Sequence, residues 1–231
     1  MSRMFNLWND GRIETVNPFN GCDFGCYPTE KHPEGNCWAA QMARRQEAQG
    51  NRGYENGFEP SLCPYRMDEF SKKADVVWIG DMGDIAFVPT GYVERIIAEA
   101  IEPNPEILFF LETKNPATYR RFIDDLPENV ILSTTIESNR PHDVTDAPAP
   151  LERFLDFRDL DWPRKHVSVE PVMKFDLEVM LDWMSGIGPE IVSVGYDNYN
   201  CGLPEPPKGL TERLIRELRS FTNVEEKTIR K

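Results

Sequence analysis

The chain has 231 residues, which at roughly 100–200 residues per domain gives one large domain or two small ones. Its 26 Lys and Arg against 39 Asp and Glu leave a formal net charge of −13, which excludes a general role in coating a phosphate backbone. With 40% hydrophobic and 11% aromatic residues the chain can bury a core, so a disordered or tail-like polypeptide is excluded as well. No apolar run approaches the roughly 18 residues of a membrane span, and MSRMFNLWNDGR lacks the apolar stretch of a signal peptide. The expectation is a soluble, cytoplasmic protein.

Taken in chain order, a weak strand at about Arg12–Val16 leads into a segment holding Cys22, Cys26 and Cys37, followed by an alanine-rich helix over Trp38–Gln49. Gly50–Tyr65 is rich in Gly, Asn and Pro and reads as a connection. Five short runs then have the near-continuous apolar character of strands covered on both faces: Val76–Gly80, Ile107–Leu111, Val130–Ile136, His166–Val169 and Ile191–Tyr196. Between them the pattern predicts helices at Thr90–Ile101, with Val93, Ile96, Ile97 and Ala100 on one stripe, at Pro116–Asp124, and at Asp176–Ser185. A last helix spans Leu210–Phe221, after the stiff connector Pro204–Pro207. Ser138–Pro150 reads as a polar loop after a strand. Six strand–helix units with no break in composition predict a single α/β domain over residues 1–231, with parallel strands. Chemistry in such folds gathers at the carboxyl ends of the strands, the face that also receives the cysteine segment.

That segment runs NPFNGCDFGCYPTEKHPEGNCWA, from Asn17 to Ala39, with spacing Cys-x3-Cys-x10-Cys. Clustered thiols in a reducing compartment more often hold metal than form disulfides. Three thiolates can ligate three irons of a 4Fe–4S cluster and leave the fourth iron open. The same residues with His32 offer three sulfurs and one nitrogen, a tetrahedral zinc set close to a zinc knuckle. The third reading is three unligated buried thiols. Cys63 and Cys201 are too few for a second four-thiolate cluster and read as inert packing thiols, His166 reads as structural, and Met173, Met180 and Met184 read as core filler.

NPFNGC at Asn17–Cys22 and CWA at Cys37–Ala39, with GDMGD (Gly80–Asp84), LETKNP (Leu111–Pro116), STTIES (Ser133–Ser138) and SVEP (Ser168–Pro171), resemble the ordered motifs of the radical S-adenosylmethionine (radical SAM) superfamily. The likeness is nearest to a phage-associated family of unassigned activity and extends to spore photoproduct lyase relatives. The chain departs from the superfamily's Cys-x3-Cys-x2-Cys in having ten residues, not two, between the second and third cysteines, and Asn36 stands where an aromatic is usual. Lengthening a flexible loop costs little entropy, so the third thiol can still return to the cluster.

The resemblance implies a partial (β/α)6 barrel and two cofactors, a 4Fe–4S cluster on Cys22, Cys26 and Cys37 and S-adenosylmethionine on its open iron. It implies further that Trp38 lies near them, and that Gly80, Asp81, Met82, Gly83 and Asp84 form the turn meeting the methionine amino group. By the same resemblance Thr113, Lys114, Thr135 and Glu137 close the third and fourth strands toward the ribose and carboxylate, while Glu170 and Asp197 end the next two strands on the substrate side. The implied partners are a nucleotide, nucleobase or other small substrate and an electron donor such as flavodoxin or ferredoxin, with neither a membrane nor extended duplex DNA among them. The alternative class is a zinc-stabilised nucleic-acid-binding protein without catalysis.

Overall fold

The computed structural model describes Trp8 and residues 10–230. One sheet organises these residues. Its strands are β1 (Ile13–Val16), β4 (Val76–Ile79), β5 (Leu108–Thr113), β6 (Val130–Thr135), β7 (Lys165–Val169), β8 (Ile191–Val194) and β9 (Asn223–Glu226). They lie side by side in chain order, and every pairing is parallel. A second, two-stranded antiparallel piece joins β2 (Phe19–Asn20) to β3 (Ser61–Leu62). The order never reverses, so the right-handed crossovers after β4 lay their helices on one side and the sheet curls around its other face. The result is the expected α/β partial barrel, with a seventh strand at one edge.

The helices are α1 (Trp38–Ala48), α2 (Thr90–Ile96), α3 (Pro150–Arg158), α4 (Leu177–Ile187) and α5 (Lys208–Leu218). Each has a physical reason in the sequence. In α5, Thr211, Leu214, Ile215 and Leu218 recur at helical spacing and are the buried set. The stripe expected after Thr90 is buried throughout, although α2 widens into a π turn over Ile97–Ile101. Residues 116–125 form two 3₁₀ turns in place of the helix expected there. No helix among the described residues is long and apolar enough to cross a membrane.

Strand periodicity divides the sheet's side chains cleanly. Val77, Ile79, Phe109, Leu111, Val130, Leu132, Val167, Val169, Val192 and Val194 face the helices and form the main core. Their alternates, Val76, Trp78, Leu108, Phe110, Ile131 and Ile191, face inward, where Trp8 packs on them. This inner cluster fills the amino-terminal end of the half-barrel. Toward the carboxyl ends the inner positions turn polar, as Glu112, Ser133, Thr135, His166, Ser168 and Ser193.

Candidate active site

A cavity of about 480 Å³ opens above that aromatic floor. Its walls bring together twelve of the residues picked out by sequence: Cys22, Cys26, Cys37, Trp38, Gly80, Asp81, Gly83, Asp84, Lys114, Thr135, Glu170 and Asp197. Met82, Thr113 and Glu137 are not among its lining residues. Met82 packs with Ala39, Ala43 and Tyr54.

The three thiols reach the cavity by separate local devices. Cys22 follows Gly21, whose N–H donates to Met82 O (2.9 Å) and whose carbonyl accepts from Asp84 N (3.2 Å), so the cysteine segment docks on the GDMGD turn. Gly80 begins that turn at φ +75°, and a Cβ there would lie 2.1 Å from the Phe19 ring. The long interval between Cys26 and Cys37 is pinched at its base, where Asn36 N donates to Cys26 O at 2.8 Å. Gly35 sits in the pinch at φ +114°, with no room for a side chain because a Cβ would meet Cys26 O at 2.9 Å. Cys37 is the N-cap of α1, its sulfur accepting from Ala40 N at 3.3 Å. Cys26 Sγ lies 3.1 Å from the Thr145 hydroxyl.

Burial raises all three thiols above the usual range. Asp84 and the other two thiols add to the rise at Cys22, while Lys114 opposes it at Cys26 and the Ala40 N–H opposes it at Cys37. Three thiols that influence one another in a partly closed cavity would be stabilised as thiolates by a cationic centre, and the helix terminus at Cys37 favours the same state. Their donor chemistry therefore fits an iron–sulfur cluster. His32 does not join them: its ring lies 3.5 Å from Glu34, 39% exposed, and is not among the cavity's lining residues. Among the described residues, no three His, Cys, Asp or Glu side chains converge as a single-ion site.

Asp84 is buried and spent on structure. Its carboxylate accepts from the Thr113 hydroxyl (2.6 Å), Lys114 N (2.9 Å) and Ala86 N (2.8 Å), which fastens the turn to the end of β5. Burial nevertheless keeps its carboxyl above the ordinary value. Glu137 is the centre of a buried ionic cluster behind the cavity wall. It pairs with Lys114, accepts from Arg153 at 2.8 Å, and takes the Tyr27 hydroxyl at 2.8 Å. Burial alone would raise its carboxyl, but the Lys114 and Arg153 charges hold it well below the carboxylate range. Asp197 caps its own loop, accepting from Tyr199 N (2.8 Å) and Cys201 N (2.5 Å). Glu170 lines the cavity, and none of the described residues bonds its carboxylate; burial raises it.

Sequence reasoning missed the floor and one wall. Trp8, Trp78 and Phe110 pack tilted or edge-on with ring centroids 4.8–6.5 Å apart, and the His166 ring lies 5.1 Å from that of Phe110. Glu112, Tyr27, Tyr196, Lys227 and Cys201 also line the space. The signal that could have found Glu112 was period 2 along β5, which puts Phe110, Glu112 and Lys114 on one face.

No protein-family model matches the sequence, and no curated protein is significantly similar to it. Solved structures do share its shape. Spore photoproduct lyase with bound S-adenosylmethionine and dinucleoside spore photoproduct aligns over 90% of this chain and 61% of its own, at 10% identity and TM-score 0.53. A radical SAM methyltransferase from Sphaerobacter thermophilus aligns over 93% and 66%, at 16% identity and TM-score 0.52. SuiB of Streptococcus suis, solved with its precursor peptide SuiA, aligns over 94% and 49%, at 12% identity and TM-score 0.55. The chain thus spans half to two thirds of the length of these proteins, and across nearly all of its own length it has the fold that a radical SAM methyltransferase has.

Proposed function

We propose that this protein is a radical SAM enzyme in which Cys22, Cys26 and Cys37 hold a 4Fe–4S cluster. The observation that carries the reading is the meeting of all three thiols in one cavity, at the carboxyl ends of a half-barrel shared with a radical SAM methyltransferase. When bound, and reduced through a donor such as flavodoxin or ferredoxin, cluster and S-adenosylmethionine supply a 5′-deoxyadenosyl radical that takes a hydrogen atom from a nucleotide, nucleobase or other small substrate.

The chain's own residues do the holding. The turn Gly80–Asp84 offers backbone carbonyls and the Asp81 carboxylate to an amino group, Asp81 itself being steadied by Asn17 at 2.7 Å. Lys114, with Arg153 behind it, leaves the Glu137 cluster with an excess positive charge facing Cys26, suited to a ligand carboxylate. Thr135 offers a hydroxyl to a ribose. Thr113 and Glu137 act through Asp84 and Lys114, as supports. Glu170 is left free for substrate, and the aromatic floor gives a flat substrate a surface to stack on.

The test is turnover by anaerobically reconstituted protein given dithionite and S-adenosylmethionine. Release of 5′-deoxyadenosine, abolished in Cys22→Ala, Cys26→Ala and Cys37→Ala, supports the reading. Iron-loaded protein that releases none contradicts it.

A further inference from the structure

One run of hydrogen bonds crosses the inner face from β5 to β9. Ser133 Oγ lies 3.3 Å from Glu112 Oε1 and 2.8 Å from His166 Nδ1. His166 Nε2 lies 2.9 Å from Ser193 Oγ, which lies 3.1 Å from Glu225 Oε2. Strand register builds the run: Ser133 stands opposite both Glu112 and His166, and Ser193 opposite Glu225. Glu112, at one end, lines the cavity, and so do His166 and Ser193 along the run. Its other end, Glu225, has a side chain 16% exposed and lies on the edge strand beside Lys227, which is 35% exposed.

Counting hydrogens gives the run a direction. Glu225 takes the Trp8 indole N–H on Oε2 and the Lys227 ammonium on Oε1 at 2.7 Å, so toward Ser193 it is an acceptor and Ser193 donates. Ser193 has one hydroxyl hydrogen and therefore accepts from His166, which places the imidazole hydrogen on Nε2. Burial, with the nearby Lys227 charge, pulls His166 down to about 3, so the ring carries only that hydrogen. Nδ1 is then the acceptor for Ser133. With its hydrogen spent on Nδ1, Ser133 meets Glu112 Oε1 as acceptor, so the Glu112 carboxyl is the donor there, while the same Oε1 accepts from the Thr135 hydroxyl at 3.3 Å. Burial independently pushes Glu112 up to about 7, against the charge of Lys114 and with those of Asp84 and Glu170.

We propose that Glu112 is the proton-accepting residue of this cavity, and that Ser133, His166 and Ser193 carry its proton to Glu225 at the solvent edge. The substrate class this serves is one with an ionisable O–H or N–H. Glu112 is ready for it once its resting proton has left along the run: the bond then breaks, its electron pair stays on the substrate, and the proton goes to the Glu112 carboxylate so formed. Glu112 then gives a proton to Ser133, whose own passes to His166 Nδ1. His166 releases its Nε2 proton to Ser193, and the Ser193 proton goes to Glu225 and on to water. The proposal rests on the reading of this cavity as an active site, and not on what the three thiols hold.

Two measurements on the full-length protein test it without a substrate. In nitrogen-15 NMR, His166, identified by the signals lost in His166→Gln, should be neutral with its hydrogen on Nε2 throughout the neutral pH range. In infrared difference spectra a protonated-carboxyl band should titrate at about 7 and be missing in Glu112→Gln. Ser193→Ala removes the acceptor for Nε2–H. The ring should then hold its hydrogen on Nδ1, Ser133 should turn its own to Glu112, and the band should titrate about one unit lower. Hydrogen on Nδ1 in the unaltered protein, no carboxyl band, or a band unmoved in a folded Ser193→Ala variant would each overturn the proposal. Failure to load iron would count against the enzyme class and leave this relay standing.

Discussion

The Asn36 N–H donates to the Cys26 carbonyl across 2.8 Å, so the chain between the second and third cysteines leaves and returns at one point. Ten residues intervene between Cys26 and Cys37, yet the two sulfurs face the same cavity. The extra length is a closed excursion, itself stitched by Thr29 and His32, which exchange backbone hydrogen bonds at 3.0 and 3.1 Å.

Gly35→Ala should open this pinch. The added methyl meets Cys26 O in a backbone region that L residues avoid, at a cost of about 1–3 kcal/mol. Denaturant melts should show that loss, and iron per chain after reconstitution should fall with it. Unchanged stability and full iron content would mean that the pinch is not what returns Cys37.

Glu137→Gln should be the most damaging change behind the cavity wall. It leaves Lys114 and Arg153 buried without their shared anion, a loss of about 3–5 kcal/mol. Tyr27→Phe removes a single donor to the same carboxylate and should cost about 1 kcal/mol. Urea unfolding of the two variants checks the ranking.

Glu112 should leave a mark on the pH dependence of stability. Its folded value of about 7 stands above the ordinary 4.5, so between these the folded state holds more protons than the unfolded chain. Stability from this group is therefore present in full below the ordinary value and is lost as pH rises toward the folded one, by up to about 3 kcal/mol. Glu112→Gln should flatten that decline. A wild-type stability that rises over the same window while the variant's stays flat would reverse the sign and refute it.

Cys63 and Cys201 should be dispensable for iron. Cys63 is 1% exposed and accepts from the Asn20 amide at 3.2 Å, and Cys201 contacts Asn36 at 3.6 Å. Cys201→Ala should load iron as the unaltered chain does, although it lines the cavity. Cys63→Ala should do the same with a stability loss of about 1 kcal/mol. Iron and sulfide assays on each variant decide this.

Strands whose two faces are both buried were plain in the sequence, and β4 to β8 fall where their apolar runs lie. The edge strand β9, NVEE, was not, because only Val224 packs into the helix-side core while Glu225 and Glu226 disguise it as a loop. Helix α3 was hidden for a related reason: Arg153 on its buried face pairs with Glu137, and Leu151 and Leu155 are exposed, so the apolar stripe is blurred. The cysteines and strand-end residues of the cavity could be listed from their positions. Their division into lining and supporting groups could not, since Thr113 and Glu137 are set apart from Asp84 and Lys114 only by the partners that folding brings to them. Trp8 and His166 reach the floor through pairings far apart in the chain, which no local pattern records.

One inorganic centre decides what this cavity does. Iron, sulfide and zinc should be quantified in anaerobically purified and reconstituted protein, beside the three cysteine variants. The expected result is about four iron and four sulfide per chain, lost on alanine substitution of Cys22, Cys26 or Cys37. One zinc per chain with no sulfide, retained until His32 is replaced, would contradict it.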